Sequence, residues 1–312
     1  MRVLFFGYSQ IGFRAVELLV ERGDEVLAVV TRRDDPHENR WYTTPADAAE
    51  AHRLPIVYSE DLEDAGAALA TRLAPDLILS VFYRSLLPDA VLSAAKIAAL
   101  NLHPSLLPAY RGRAPINWAL VHGERETGIT LHHMARRADA GDIVAQRVVP
   151  IAPRATALSL YLEIEQAGIE LLAEALPLVA NGTARRIAQD ESKASKVGRR
   201  RPEDGRIDWS WPAARVDCLV RAVAPPWPGA FGTIGGRRVE IHAGEPEEEI
   251  AADAHGMRPA PGTVDRIGER IRIATTDRWF RIDESVGLDE ALPTSSAPPS
   301  SKTSTATEKS TP

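Results

Sequence analysis

Asn101 and His103 stand two residues apart at the end of a short apolar run, Ala98 to Leu102, and Asp139 follows in the segment Ala138-Asp139-Ala140-Gly141-Asp142. The run reads as a β-strand, and residues i and i+2 of a strand leave the same face of the sheet. Pro104 and Pro108 then force an irregular loop. An amide donor beside an imidazole, with a carboxylate from a second loop, is a workable set for acyl transfer. The amide can hold a developing oxyanion, the imidazole can move a proton, and the carboxylate can orient the imidazole. Each residue also has a plainer reading. A strand-end histidine is often only a satisfied polar group, and Asp beside Gly favours a turn. Asp142, the second acid of the segment, reads as structural.

The elements that must position these side chains follow from the hydrophobic pattern. Arg2 to Phe6 reads as a buried strand, Ile11 to Arg22 as an amphipathic helix, and Glu25 to Val30 and Asp76 to Phe82 as further strands. A helix around Ala90 to Ala95 precedes the Ala98 strand. Strands alternating with helices predict an α/β fold, a doubly wound and mostly parallel sheet. In such sheets ligands sit beyond the carboxyl ends of strands, near a switch point, and Asn101 and His103 lie at such an end. Gly128 to His132 and Ile143 to Pro150 read as additional strands, and Leu158 to Leu176 as a long helix that Pro177 should end. Residues 186–206 are polar and arginine-rich and read as a linker. Beyond it Ile207 to Trp211, Phe231 to Ile241, Gly262 to Val264, Ile271 to Ala274 and Trp279 to Ile282 read as short strands of a small β-rich domain. In residues 293–312, fifteen of twenty side chains are Ser, Thr or Pro, too few apolar groups to order the segment. The expected layout is a catalytic domain over 1–202, a β-rich domain over 203–288 and a disordered tail over 289–312.

Composition narrows the classes. A chain of 312 residues can hold two domains, and 44% hydrophobic with 26% charged residues is ordinary for a soluble globular protein. One cysteine, Cys218, cannot close an internal disulfide, which suits a reducing compartment. The apolar run after Arg2 is too short for a signal-peptide core, and no window reaches the length of a membrane span. A net charge of −6 argues against a protein that grips nucleic acid through many phosphate contacts. Gly7-Tyr8-Ser9-Gln10-Ile11-Gly12 lacks the three-glycine spacing of a dinucleotide loop, so its glycines are assigned to the turn and to packing. His132 and His133 are adjacent, so on a strand they point to opposite faces and make a poor ligand pair. No metal is expected. Arg136-Arg137 and Arg199 to Arg201 are by default a solvated face; the latter cluster could instead meet a diphosphate through bidentate hydrogen bonds.

Asn101-Leu102-His103, then Ser105 to Pro108, then Asp139-Ala140-Gly141 together resemble the signature of the formyltransferases that use 10-formyltetrahydrofolate. The likeness covers nearly all of the chain ahead of the Ser/Thr/Pro tail. It implies a Rossmann-like catalytic domain, an open-barrel C-terminal domain, and Asn101, His103 and Asp139 as the catalytic residues. It further implies folate contacts at Ser85, Leu86, Leu87, Arg113, Ala135, Arg136, Arg137, Ala138 and Asp139. Arg111-Gly112-Arg113-Ala114-Pro115-Ile116-Asn117-Trp118, Lys196 to Arg200, and Arg221-Ala222-Val223 with Trp227 to Phe231 are most similar to the members acting on UDP-4-amino-4-deoxy-L-arabinose in lipid A modification. The implied activity is transfer of a formyl group from 10-formyltetrahydrofolate to the 4-amino group of a sugar nucleotide, in the cytoplasm, without metal, nucleic acid or membrane. Two departures stand out. Pro104 replaces a glycine, which should stiffen the loop. The tail stands where the best-known member continues into a dehydrogenase–decarboxylase domain, so a stand-alone enzyme with a possible separate decarboxylase partner is expected. Two alternatives share the signature. A methionyl-tRNA formyltransferase is disfavoured by the acidic balance and by Thr31 to Glu38, which lacks a Lys-rich insertion. A non-catalytic folate-binding regulator is disfavoured because all three catalytic residues are present.

Overall fold

Strand β1 (Arg2–Gly7) dictates a layered architecture, because its alternate side chains are apolar on both faces. Val3 and Phe5 join one buried cluster while Leu4 and Phe6 join another. A strand apolar on both sides must be covered by helices on both sides. Full burial of a side chain such as Phe5 contributes about 1.5–3 kcal/mol. The computed structural model describes residues 1–34, 40–62, 66–252 and 254–292.

The chain proceeds through α1 (Ser9–Glu21), β2 (Glu25–Thr31), α2 (Pro45–Ala51), β3 (Ile56–Tyr58), α3 (Gly66–Leu73), β4 (Leu77–Val81), α4 (Asp89–Leu92) and β5 (Ala98–His103). Next come β6 (Arg111–Gly112), α5 (Pro115–Val121), β7 (Glu126–His133), β8 (Ile143–Pro150) and α6 (Ala157–Ala180). The seven-stranded sheet has the order β3-β2-β1-β4-β5-β7-β8. Its first five strands are parallel, and β7 and β8 each run antiparallel to their predecessor. The expected doubly wound, mostly parallel sheet is therefore present, with the order reversing between β1 and β4. The larger apolar cluster draws on α1, α2, α5 and α6, and the smaller one on Ala70 of α3 and Val91 of α4. On β5, Ala98, Leu100 and Leu102 enter the larger cluster, so Asn101 and His103 emerge on the face of α3 and α4.

Several expected boundaries differ. Helix α6 runs through Pro177 to Ala180 rather than ending before it. Pro177 and Ala173, whose carbonyl loses its helical partner, are both exposed, while Leu176 and Val179 stay buried, so packing carries the last turn. The expected linker 186–206 is structured. Lys196–Val197 (β9) pairs with β6, and Ile187 bridges to Ile143. Ile207 to Trp211 forms no strand: only Arg206, just ahead of it, bridges to Phe231, and the chain then turns where the Asp208 carboxylate accepts from Ser210.

Helix α7 (Ala213–Val223) then precedes five antiparallel strands, β10 (Ala230–Ile234), β11 (Arg237–Glu249), β12 (Val264–Ile267), β13 (Arg270–Ala274) and β14 (Arg278–Val286), in the order β10-β11-β14-β13-β12. The stretch expected as one strand from Phe231 to Ile241 is a hairpin turning at Gly235-Gly236. Leu288–Ala291 forms a short helix, α8, with Leu288 and Ala291 buried, so residues 289–292 belong with the folded part and not with a tail. Residues 293–312 lie outside the described residues. Among the described residues no helix is long and apolar enough to cross a membrane.

The two sheets are joined by a polar clamp. Arg154, ahead of α6, donates to Asp217 of α7 at 2.7 Å and to the Gly244 carbonyl of β11 at 2.8 Å. Arg221 donates to the same Asp217 at 2.8 Å and to the Ala155 carbonyl at 2.8 Å. Removing the carboxylate leaves a largely buried guanidinium without its anion. Asp217→Ala should lower the unfolding free energy by about 3 kcal/mol, read as a shifted urea midpoint. A loss under about 1 kcal/mol would mean that this clamp contributes no more than a surface ion pair.

Candidate active site

The register of β5 against its neighbours builds the site. Asn101 pairs with Ser80 of β4 on one side and with His132 of β7 on the other, so three polar side chains form a row on one face of the sheet. His103 stands one step on, beside Thr130. Thr130 fixes the loop that follows β5: its hydroxyl donates to the Ser105 carbonyl at 2.6 Å and accepts from Leu107 N–H at 3.2 Å. Gln146 of β8 adds a bond to the Leu107 carbonyl at 2.7 Å.

Asp139 arrives from the loop between β7 and β8. Its backbone lies in the left-handed region at φ +54°, a conformation that a non-glycine residue holds only when its surroundings impose it. Gly141 lets this loop close on the strand, since a Cβ there would lie 1.9 Å from the His133 carbonyl oxygen. Gln189 completes the hold by donating to the carbonyls of Asp139 and Gly141 at 2.9 and 2.7 Å. Gln189 is itself held by Arg111, which is only 2% exposed and also forks onto Glu191. The Gly112 N–H donates to Asp139 Oδ2 at 2.9 Å. Gly112 is needed there because its φ is +113° and a Cβ would fall 2.2 Å from the Val197 oxygen.

Asp139 Oδ1 then lies 3.5 Å from His103 Nδ1 and 3.7 Å from His132 Nε2. The His103 Nε2–H donates to the Tyr110 carbonyl at 3.0 Å. Because a carbonyl only accepts, the hydrogen sits on Nε2, and Nδ1 carries the lone pair on the side of Asp139. His132 is the reverse. Its Nδ1–H donates to the His133 carbonyl at 2.8 Å, and its Nε2 lies 3.1 Å from Asn101 Nδ2. Burial pushes the His132 pKa down to about 4, with the charge of His103 adding to the effect and the His133 carbonyl and Asp139 opposing it.

The expected trio of Asn101, His103 and Asp139 thus converges. Asn101 and Asp139 line a cleft enclosing about 90 Å³, together with Ser85, Leu86, Leu87, Ala135, Arg136 and Ala138 of the expected folate contacts. Arg113 and Arg137 are not among its lining residues: Arg113 donates to the Arg84 carbonyl at 2.6 Å, and Arg137 pairs with Glu191. Asp142 accepts from Arg186 at the surface. From the sequence His132 is weighed only as a metal ligand and Arg111-Gly112 only as part of a family likeness, and Gln189 is not singled out. For His132 the signal lay in the register, which a single strand does not carry. For Gln189 there was none, since it sits in a polar stretch that reads as a linker. Among the described residues no group of three His, Cys, Asp or Glu side chains could hold a metal ion.

The buried neutral imidazole has a consequence for acid stability. In the unfolded chain a histidine takes its proton near 6.5, whereas folded His132 resists until about 4. Between these values the unfolded state binds more protons, so stability rises with pH across the window and falls on acidification. His132→Gln should therefore lose less melting temperature than the wild type between pH 6.5 and 4.5. Parallel melting curves for the two proteins would refute this source of acid sensitivity.

Known proteins share this fold along most of the chain. A solved N-formyltransferase from Helicobacter canadensis, in complex with folinic acid and dTDP-3-aminofucose, shares 19% identity at a TM-score of 0.72, covering 91% of this chain and 99% of that one. WlaRD, a sugar 3N-formyl transferase solved in the presence of dTDP and 5-N-formyl-THF, shares 16% identity at 0.70, covering 92% and 98%. HypX from Aquifex aeolicus, solved with tetrahydrofolic acid, shares 26% identity at 0.62, covering 91% of this chain and 44% of HypX. The family model described as formyl transferase matches residues 1–176, and the one described as formyl transferase, C-terminal domain, matches residues 199–288. With both sheets and the β5 site lying inside those matches, the chain belongs to the formyl transferase family and is a formyl-transferring enzyme.

Proposed function

We propose that the chain transfers a formyl group from 10-formyltetrahydrofolate to the 4-amino group of a sugar nucleotide, with UDP-4-amino-4-deoxy-L-arabinose as its acceptor. The observation that carries this reading is the convergence of Asn101, His103 and Asp139 at the end of β5, beside the cleft. The cleft suits one end of a folate. Tyr83, Leu86, Leu87, Leu92 and Met134 offer apolar walls for a flat ring, Ser80 and Ser85 add polar edges, and exposed Arg136 at the rim suits a carboxylate. Leu86 lines the cleft and is 75% exposed, so a flat ring bound there would cover apolar surface. Two proteins of the same fold were solved with a folate compound together with dTDP or a dTDP-sugar, which supports pairing a folate donor with a sugar-nucleotide acceptor. The single cysteine and these two co-substrates favour the cytoplasm as the site of action.

10-Formyltetrahydrofolate, when bound, supplies the formyl carbon that the amine attacks. Asn101 has one amide hydrogen committed to His132 and the other uncommitted, and this second hydrogen is the donor for charge developing on the formyl oxygen. A preorganised donor of that kind contributes roughly 2.7–4 kcal/mol. His103 is fixed by Tyr110 with its lone pair on Nδ1, so Nδ1 takes the proton shed by the amine and returns one to the departing nitrogen. Asp139 keeps the ring oriented and balances its charge while it carries the proton.

One observation weighs against a tRNA acceptor. Of the segment Thr31 to Glu38, residues 35–38 lie outside the described residues, but Arg32 and Arg33 are paired with Glu60 and Asp61. Among the described residues both arginines of the segment are compensated, and a net charge of −6 does not favour the many phosphate contacts that a tRNA acceptor requires.

The test incubates the protein and 10-formyltetrahydrofolate with UDP-, dTDP- and GDP-linked 3- and 4-amino sugars and with charged initiator tRNA, scoring formyl addition by mass spectrometry. The UDP-linked 4-amino pentose should be formylated with the highest kcat/KM. A better rate on tRNA overturns the acceptor class, and a better rate on a dTDP-sugar overturns the nucleotide. In the same assay Asn101→Ala and His103→Ala should each lower turnover by about a hundredfold or more. Asp139→Asn should also cripple it, whereas Asp142→Asn, which loses only its surface bond to Arg186, should stay within about threefold of wild type.

A further inference from the structure

The adjacent histidines of β7 are unsuited to chelating a metal, yet the same alternation isolates His132 against Asn101. The two residues are direct partners across β5 and β7, and partners in a ladder share a face. His132 is 1% exposed, so its polar ring atoms must be satisfied within the protein. The His133 carbonyl 2.8 Å from Nδ1 can only accept, which puts the ring hydrogen on Nδ1 and leaves a lone pair on Nε2. That lone pair faces Asn101 Nδ2 at 3.1 Å, while Asp139 Oδ1, at 3.7 Å, is beyond hydrogen-bond reach of Nε2. A half-turn of the Asn101 amide would set its oxygen against the lone pair, so only one orientation is compatible with this ring.

We propose that His132 is a positioning residue: its Nε2 lone pair takes one amide hydrogen of Asn101 and so fixes which face of the amide meets the substrate. The assignment rests on the reading of Asn101 as the donor to the formyl oxygen. It explains why a histidine stands where the neighbouring positions on the opposite face, Leu131 and Ile129, are apolar. It also explains the low exposure of the ring, since water reaching Nε2 would compete for the lone pair. The groups facing the ring are Asn101, Asp139, the His133 backbone and His103, whose centroid is 6.4 Å away. Burial keeps the ring neutral down to about pH 4. Charging it would replace the lone pair with an N–H, which the Asn101 NH₂ cannot meet and which Asp139 would attract. The amide would then be free to turn.

The test compares His132→Phe with His132→Gln, using 10-formyltetrahydrofolate and the amino-sugar nucleotide that the acceptor panel ranks first. A phenyl ring fills the space without an acceptor, whereas the Gln side-chain oxygen can reach the position of Nε2. His132→Phe should lower kcat about thirtyfold with KM for the folate within twofold, and His132→Gln should recover to within about fivefold of wild type. In the Asn101→Ala background His132→Phe should add less than a twofold further loss, because the residue acts only through the amide. Full additivity in that background, or a Gln variant no better than Phe at unchanged melting temperature, would overturn the proposal. If Asn101→Ala alone keeps near-wild-type turnover, the role given to Asn101 fails first. A readout independent of turnover is the long-range ¹H–¹⁵N spectrum of the imidazoles. His132 should remain the neutral Nδ1–H tautomer at pH 5.5, with an Nε2 resonance that moves in Asn101→Ala. An Nε2–H tautomer, or an unmoved resonance, counts against it.

Discussion

The pairing register between β5 and β7 is the constraint on which the site depends. Side chains on a strand alternate with period two, so a slip of one residue would bring His133 opposite Asn101 and turn His132 into the apolar layer. Two independent features hold the register. On the core face Leu100, Leu102, Ile129 and Leu131 are all essentially fully buried, and none could move to the polar face without losing its apolar contacts. On the polar face Thr130 ties β7 to the loop after β5 through Ser105 and Leu107. Hydrophobic alternation and a buried hydroxyl network therefore select the same alignment, and the row Ser80, Asn101, His132 follows from it.

Asp139 depends on a second, longer-range support. Its left-handed backbone is maintained by Gln189 at two carbonyls and by the Gly112 N–H at the carboxylate. Gln189 in turn leans on a buried guanidinium, Arg111, whose charge is met by Glu191. A buried arginine lacking such partners would be strongly destabilising, so the polar stretch after α6 is required for Arg111 to be where it is. The left-handed backbone at Asp139 is thus balanced by hydrogen bonds from a segment far along the chain.

This division explains what the sequence made legible. That Asn101 and His103 share a face follows from period two alone, and the alternation of apolar runs with helical patterns was enough for the doubly wound sheet. Asp139 was identified from its likeness to a family motif and not from geometry, because a loop residue's position depends on contacts that no local pattern encodes. The stretch around Gln189 reads as a linker since its partners lie far back in the chain, Asp139 and Gly141 in the loop after β7 and Arg111 on a β6 strand of only two residues. Pro177 was misjudged because its helix-breaking effect, roughly 3 kcal/mol in an interior, is muted one turn from an exposed end, where tertiary packing of Leu176 and Val179 prevails. The hairpin at Gly235-Gly236 interrupts a stretch, Phe231 to Ile241, whose pattern reads as one strand.

The two imidazoles of the site are assigned opposite tasks by two backbone carbonyls. Tyr110 holds a hydrogen on His103 Nε2 and so leaves Nδ1 available, whereas His133 holds a hydrogen on His132 Nδ1 and leaves Nε2 as an acceptor. Asp139 Oδ1 lies between them, 3.5 Å from one ring and 3.7 Å from the other, and a single carboxylate can balance only one imidazolium at that range. Burial decides which. His132 is desolvated more completely, and a charge on His103 pushes its pKa down further. In the proposed mechanism His132 thus keeps its Nε2 lone pair for Asn101 while His103 Nδ1 handles the proton.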